Sequence, residues 1–146
     1  LVPGYEAPCY IAWSTVNRSA LIRIPAARGN STRIELRSPD SACNPYLALA
    51  VCLAAGLDGI EKGLVPPQEI TKDIFAMSRE EHKTYGIKEL PSSLAEALSA
   101  LEADDFLCNV LGTHIMRSYI TGKRKEWYEY CTRVSSWEID RYLVNY

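Results

Sequence analysis

Two neighbouring stretches of the sequence decide how this chain folds: NRSALIRIP at residues 17–25 and TRIELRSPD at residues 32–40. Both alternate apolar and polar residues, and successive side chains of an extended strand point to opposite faces. The second stretch therefore places three charged side chains on one face: Arg33, Glu35 and Arg37. In the first stretch, Arg23 lies opposite the apolar face. We expect two adjacent strands that bring several guanidinium groups close to one carboxylate.

This arginine and glutamate pattern has two interpretations. Guanidinium groups gathered around a carboxylate suit phosphate, carboxylate or metal–nucleotide chemistry. The alternative is the solvated face of a half-buried strand, where Arg–Glu pairs contribute only a few tenths of a kcal/mol. The alternation by itself favours the solvated face, and both interpretations stay open at this point.

The composition is that of an ordinary globular domain and argues against several partners. The 146 residues are 47% hydrophobic and 23% charged, which suits one domain with its own core. A net charge of −2 provides no general attraction to nucleic acid or to an anionic membrane. The longest apolar run, residues 47–57, is about half as long as a membrane span requires. We therefore expect neither nucleic acid nor membrane as a partner.

The cysteines and the start of the chain indicate its cellular context. Five cysteines occur without a CxxC pair or regular spacing, which favours a reducing cytoplasm over a disulfide framework. The chain begins at Leu1 with no initiator methionine. We expect a cytoplasmic protein, of which this sequence is one part.

The order of elements predicts an α+β fold, with antiparallel strands in the N-terminal third and a helical C-terminal region. Strands are predicted over residues 7–16, 20–24 and 33–37, because these segments are rich in β-branched and aromatic residues or alternate in polarity. Turn residues at Gly29 and Asn30 favour antiparallel pairing of the last two strands.

Helices are predicted from residue 45 onwards. Asn44 and Pro45 are typical of a helix start, and the helix over 45–61 is apolar nearly all round, which predicts burial on several sides. Residues 66–90 are interpreted as a surface excursion with short helical pieces. Further helices are predicted over four ranges: 93–101, 104–111, 113–135 and 137–143.

Five motifs in fixed order carry a family resemblance. They are PGYEAP at 3–8, NRSA and RIP at 17–20 and 23–25, RIELRSPD at 33–40, NPYL at 44–47 and AGLDGI at 55–60. Together they resemble the C-terminal part of the catalytic domain of glutamine synthetase, type I. The tail through WEID at 137–140 is similar to the Gram-positive bacterial form. The resemblance covers residues 1–146 and places the N-terminal domain and the first part of the catalytic domain upstream of Leu1.

The resemblance implies an ATP-dependent ligase that makes glutamine from L-glutamate and ammonia. ATP phosphorylates the glutamate side chain, and ammonia then displaces phosphate from γ-glutamyl phosphate. The implied cofactor is Mg²⁺ or Mn²⁺, with two divalent ions per site, and ATP is a co-substrate. The implied assembly is a double-ringed homo-dodecamer with active sites between subunits.

The resemblance also assigns roles to two glutamates. Glu35 matches a ligand of the metal that positions the ATP phosphates. Glu6 matches the glutamate of a flap that covers the site, contacts the glutamate substrate and helps to deprotonate ammonium. Exclusion of water by such a flap protects an acyl phosphate from hydrolysis.

Four arginines match anion-binding positions of the family. Arg18 matches the arginine that stabilises the transferring phosphoryl group, and it is expected to contact both the nucleotide and glutamate. Arg23 and Arg33 match nucleotide-contacting positions. Arg37 matches an arginine that holds glutamate or the phosphorylated intermediate. Arginine suits these roles because it keeps its charge and offers a rigid fork of donors.

Two differences from the family limit these expectations. Phe75 falls where some bacterial members carry a tyrosine that is adenylylated, so this regulation is expected to be absent. The remaining metal ligands and the glycine-rich nucleotide segment of the family lie upstream of Leu1. Since one carboxylate cannot hold two divalent ions, the isolated chain is expected to be inactive.

Two other functions remain open. The chain could be a non-catalytic interaction module that uses the aromatic-rich C-terminal helices as its contact surface, or an oligomerisation piece derived from the same fold. The aromatic residues concerned are Trp127, Tyr128, Tyr130, Trp137, Tyr142 and Tyr146.

Overall fold

The computed structural model describes residues 7–143 and divides the chain into two compact units, with the boundary between Ser92 and Ser93. The first unit contains a four-stranded sheet and two α-helices. The second unit is built from helices over the residues described. Short strands in the first third and helices after them confirm the predicted α+β class.

The sheet has the spatial order β3-β2-β1-β4. Its strands are β1 at Tyr10–Ser14, β2 at Ala20–Arg23, β3 at Glu35–Leu36 and β4 at Lys88–Glu89. Strands β2 and β3 pair antiparallel, as predicted, with Arg23 opposite Glu35. Strand β3 is shorter than the predicted 33–37, so Arg33 and Arg37 flank it.

The pairing of β1 with β2 is parallel, which the sequence did not predict. Tyr10 pairs with Ala20 and Ser14 with Arg23, so the chain must travel back along β1 within residues 15–19, the return loop. Parallel strands usually need a connection of a dozen residues or more. The Cα atoms of Ser14 and Ala20 are about 14 Å apart, and the six Cα–Cα steps between them reach at most about 20 Å. The five residues can therefore cover this distance without full extension, and four of them form bends.

The core of the first unit includes residues from the segment that was interpreted as a surface excursion. The buried cluster consists of Ala12, Ala20, Ile70 and Ile74, and Ile74 is fully buried. Strand β4 pairs antiparallel with β1, and α2 spans Arg79–Thr84. The surface interpretation of 66–90 was right for most of the segment, which is largely exposed and contains short helical pieces, but it missed Ile70 and Ile74, which pack against the sheet.

Helix α1, Pro45–Glu61, begins as predicted. The Asn44 side chain accepts hydrogen bonds from the backbone N–H groups of Tyr46 and Leu47, and Pro45 occupies the first turn. The predicted burial on several sides is wrong for this structure, since no residue of α1 is buried. The apolar composition of α1 indicates a helix suited to burial. It does not show which part of a protein covers the helix.

The second unit begins with α3, Leu94–Glu102, where Ser93 caps the first turn as predicted. It packs against α4, Asp105–Cys131, whose path breaks at Gly112 with φ 75° and ψ 158°. This break separates the two helices predicted over 104–111 and 113–135. A short helix α5, Ser136–Glu138, and a π-helical turn, Ile139–Leu143, follow. No helix among residues 7–143 is long and apolar enough to cross a membrane.

The break in α4 provides a test of the backbone, because a Cβ at Gly112 or at Gly122 would meet no atom within 4 Å. Gly112→Ala places a side chain at a φ and ψ that only glycine adopts readily, and we expect a loss of about 1–3 kcal/mol in the free energy of unfolding. The control Gly122→Ala lies in helical backbone of the same element and should gain about 0.5–1 kcal/mol. Urea denaturation measures both values, and equal effects would contradict the assigned backbone.

Candidate active-site residues around strand β2

The Glu35 cluster consists of Glu35, Arg23 and Arg33. Since Arg23 and Glu35 are opposite each other across β2 and β3, their side chains leave the same face of the sheet. Arg23 Nη1 lies 2.8 Å from Glu35 Oε2, whereas Arg33 Nη2 lies 2.7 Å from Glu35 Oε1. Arg33 Nε also donates to Oε1, at 2.9 Å. Each carboxylate oxygen is therefore bound by a different guanidinium group.

The electrostatics of this cluster favour a bound anion. The hydrogen bonds from Arg33, and then those from Arg23, hold the pKa of Glu35 below its ordinary value, while partial burial opposes them. Glu35 is thus ionised at neutral pH, and two guanidinium charges against one carboxylate leave one positive charge in excess. The buried Nε of Arg23 has no hydrogen-bond partner among the described residues. The cluster can accept further negative charge on this side of the sheet.

The other two predicted arginines belong to the opposite end of β2. Arg37 Nη1 donates to the carbonyl oxygen of Ala20 at 3.3 Å, and Arg18 lies in the return loop two residues before Ala20. Arg23 follows Ala20 by three positions, which is about 10 Å along a strand. Strand β2 therefore carries positive charge near both of its ends. The predicted catalytic residue Glu6 lies outside the described residues.

A hydrogen-bond network in the return loop was missed by the sequence reasoning. Glu69 Oε1 accepts from Thr15 N at 2.7 Å, from Thr15 Oγ1 at 2.6 Å and from Ser14 Oγ at 3.4 Å. Ser14 Oγ in turn accepts from the backbone N–H groups of Val16 and Asn17 at 3.3 and 3.0 Å. One carboxylate and one buried serine thus bind the first half of the return loop.

The second half of the return loop is bound by an asparagine. Asn17 Oδ1 accepts from Ser19 N at 2.8 Å and from Ser19 Oγ at 2.7 Å, and Asn17 Nδ2 donates to the Lys72 carbonyl. Ser19 Oγ also accepts from Ile74 N at 3.0 Å. Asparagine followed two positions later by serine is typical of such a turn, so this half had a detectable signal. Glu69 had none, because 54 positions separate it from Thr15.

The described residues do not complete a metal site. No group of three or more His, Cys, Asp and Glu side chains among residues 7–143 could hold a metal ion. Both oxygens of the one predicted ligand, Glu35, are bound to guanidinium groups. A hard divalent cation prefers about six oxygen ligands, so Glu35 can supply at most a small part of such a shell.

Known proteins resemble this chain in sequence and in fold. The profile of the family described as glutamine synthetase, catalytic domain, matches residues 1–142. The chain belongs to this family of catalytic domains. A glutamine synthetase of Methanocaldococcus jannaschii is 55% identical over 144 residues, which are 99% of this chain and 32% of that protein.

Solved structures agree with this assignment. A structure described as apo GmaS without ligand superposes with a TM-score of 0.77 at 39% identity, and covers 94% of this chain and 30% of the other. A glutamine synthetase of Plasmodium falciparum gives a TM-score of 0.76 at 27% identity, with 97% of this chain and 36% of the other covered. The chain therefore spans about a third of the length of these relatives.

The Glu35 cluster makes a prediction about titration. Arg33→Gln should raise the pKa of Glu35 towards its ordinary value by more than Arg23→Gln does, because the hydrogen bonds of Arg33 are the larger cause of the lowered pKa. Carboxyl ¹³C NMR of the full chain against pH measures this, with Arg79→Gln on α2 as the control. A larger shift in Arg23→Gln would contradict the assigned geometry.

The same pKa gives the sign of a stability effect. A carboxylate whose pKa is lower in the folded than in the unfolded state stabilises the fold above its unfolded pKa. The contribution is lost as the pH falls through the lowered folded pKa. The difference in unfolding free energy between the chain and Glu35→Gln should therefore shrink in acid.

Proposed function

We propose that this chain is the C-terminal part of a glutamine synthetase catalytic domain. The proposed reaction joins ammonia to L-glutamate, with ATP hydrolysed to ADP and phosphate. The observation that carries the proposal is the set of four arginines around β2 in a chain of this family. The single carboxylate among them leaves an excess of positive charge on a surface where a phosphoryl group is to be transferred.

The chemistry explains why arginines are needed. An oxygen of the glutamate side chain attacks the γ-phosphorus of ATP, ADP leaves, and an acyl phosphate forms. Phosphoryl transfer requires little covalent help from the protein and much positive charge around the equatorial oxygens. Arg18 is the proposed stabiliser of this charge, and Arg23 and Arg33 contact the nucleotide. Arg37 holds glutamate or the acyl phosphate.

Ammonia then attacks the acyl carbon, and phosphate leaves with the C–O bond electrons. The nitrogen must lose a proton as ammonium becomes a nucleophile, and Glu6 is the proposed base. Glu35 is proposed as one ligand of Mg²⁺ or Mn²⁺, with the remaining ligands outside the described residues. When bound, such an ion neutralises phosphate charge.

The proposed setting is that of the family. Active sites shared between neighbouring subunits of a homo-dodecamer in the cytoplasm would explain why one chain holds an incomplete set of ligands. The absence of a tyrosine hydroxyl at position 75 is proposed to exclude adenylylation there. The Phe75 ring packs edge-on against the Tyr10 ring, with 5.6 Å between the ring centroids.

A second candidate function is supported by exposed apolar surface. Tyr128, Tyr130 and Trp137 are 69%, 71% and 63% exposed, which suits a non-catalytic interaction or oligomerisation module. Such a module requires no ATP. The second experiment below, in which the chain is placed within a complete enzyme, separates it from the enzyme.

The isolated chain should not catalyse the reaction. Purified residues 1–146 are incubated with glutamine, hydroxylamine, Mn²⁺, ADP and arsenate, and γ-glutamyl hydroxamate is measured. We expect no product above a protein-free blank. Glu35 is the one metal ligand predicted among residues 7–143, and a single carboxylate cannot hold two divalent ions. Robust turnover would show that the chain needs no further ligands and would contradict this expectation.

The chain should be active within a complete enzyme. We replace the matching 144 residues of the Methanocaldococcus jannaschii glutamine synthetase with this chain, and call the product the chimera. It should form glutamine from glutamate, ammonia and ATP, and Arg18→Ala in the chimera should lower kcat by about 100-fold or more, which is the size expected for a residue that stabilises transition-state charge.

The chimera is compared with the unmodified relative by size-exclusion chromatography. A chimera that assembles like the relative but makes no glutamine would refute the proposed enzyme and favour the interaction module. An active chimera that is insensitive to Arg18→Ala would refute the role of Arg18.

A further inference from the structure

We propose that Glu69 is a positioning residue, which holds the return loop so that Arg18 is presented to the transferring phosphoryl group. The inference rests on the proposed function for the role of Arg18. It adds a residue 51 positions away in sequence, in a segment that the sequence suggested was a surface excursion.

The first support is the need of the return loop for an anchor. Residues 15–19 turn back beside β1 and belong to no strand, so the loop has no backbone ladder of its own. Four of its backbone N–H groups are bound by side chains instead: Thr15, Val16, Asn17 and Ser19. Ser19 is buried, and a buried N–H group without an acceptor would cost about 1–3 kcal/mol, so these acceptors favour this path of the loop.

The second support is the place of Glu69 at the head of this network. Its Oε1 accepts from the backbone N–H and the hydroxyl of Thr15 and from the hydroxyl of Ser14. The Ser14 hydroxyl has one proton and two lone pairs. By donating its proton to Glu69, it directs both lone pairs towards the N–H groups of Val16 and Asn17. Through the Ser14 hydroxyl, Glu69 therefore influences how the loop residues beyond Thr15 are bound, although it does not bind those residues itself.

The third support is that the whole segment around Glu69 is aligned with β1 and the return loop. Trp13 Nε1 donates to the Pro67 carbonyl at 2.7 Å, and Ile70 N donates to the Trp13 carbonyl at 3.1 Å. Further along, the Lys72 carbonyl accepts from Asn17. Residues 67–74 therefore bind β1 at Pro67 and Ile70 and the loop at Lys72, and Ile70 and Ile74 fix this segment in the core.

The chemistry of the carboxylate suits this role. A charged acceptor makes hydrogen bonds roughly twice as strong as a neutral one, and the hydroxyl and N–H of Thr15 hold the pKa of Glu69 below its ordinary value. Arg18 lies between Asn17 and Ser19, which are two of the residues whose backbone N–H groups the network binds. Motion of the loop would therefore move the guanidinium group directly.

The test compares Glu69→Ala and Glu69→Gln in the chimera. We expect Glu69→Ala to lower kcat by about 10- to 100-fold, because small displacements of a catalytic group have effects of this size. KM for ATP should change less than twofold. Glu69→Gln keeps an acceptor and should recover most of the activity. Glu80→Ala, an exposed glutamate in α2, is the matched control and should leave kcat unchanged.

A double-mutant cycle separates positioning from general stability. If Glu69 acts through Arg18, then Glu69→Ala should cost less than about twofold in a chimera that already carries Arg18→Lys. Equal losses in both backgrounds would overturn the proposal. Where the Arg18→Lys enzyme is too slow to assay, its affinity for ADP with aluminium fluoride, a mimic of the transferring phosphoryl group, replaces kcat.

Hydrogen exchange tests the loop without reference to activity. In the 146-residue chain, Glu69→Ala should accelerate amide exchange at residues 15–19 at least tenfold relative to Glu80→Ala, and unchanged exchange would overturn the proposed anchoring. An inactive, assembled wild-type chimera with normal anchoring would refute the proposed function alone. If the wild-type chimera is active and Glu69→Ala leaves amide exchange at residues 15–19 unchanged, the role of Glu69 alone is refuted.

Discussion

The short return between two parallel strands is the constraint on which the candidate site depends. Strands β1 and β2 are joined by five residues where a dozen or more are usual, so the return loop must reverse the chain over an unusually short length. Hydrogen bonds from backbone N–H groups of the loop to the side-chain oxygens of Ser14, Asn17 and Glu69 hold this path. Because the loop ends at Ala20, the first residue of β2, its path also sets the register of β2 against β1. The position of Arg23 opposite Glu35 depends on this register.

The charge distribution around β2 follows from this register. Arg23 and Arg33 surround a single carboxylate at one end, and Arg37 and Arg18 belong to the other end. The excess of guanidinium groups suits a reaction in which negative charge develops on phosphoryl oxygens. The same arrangement provides few oxygen ligands for a cation, which agrees with a chain that spans about a third of its glutamine synthetase relatives.

Features governed by neighbouring residues could be predicted from the sequence. The cap at Asn44 and the start of α3 at Ser93 were predicted correctly, because capping involves side chains and N–H groups within three residues. The break at Gly112 was predicted as a gap between two helices. In contrast, the exposure of α1 was not predicted, because the covering of an apolar helix depends on parts of a protein that its own periodicity does not describe.

The sequence by itself determined the family, the class of fold, the starts of α1 and α3 and the break within α4. Each of these depends on local periodicity, capping or motif order. Only the tertiary structure decided the parallel return, the contribution of residues 66–90 to the core and the contact of Glu69 with Thr15. The core contribution and the Glu69 contact join residues fifty or more positions apart, and the parallel return depends on how two strands pair in space. Neither leaves a signal in a short window of sequence.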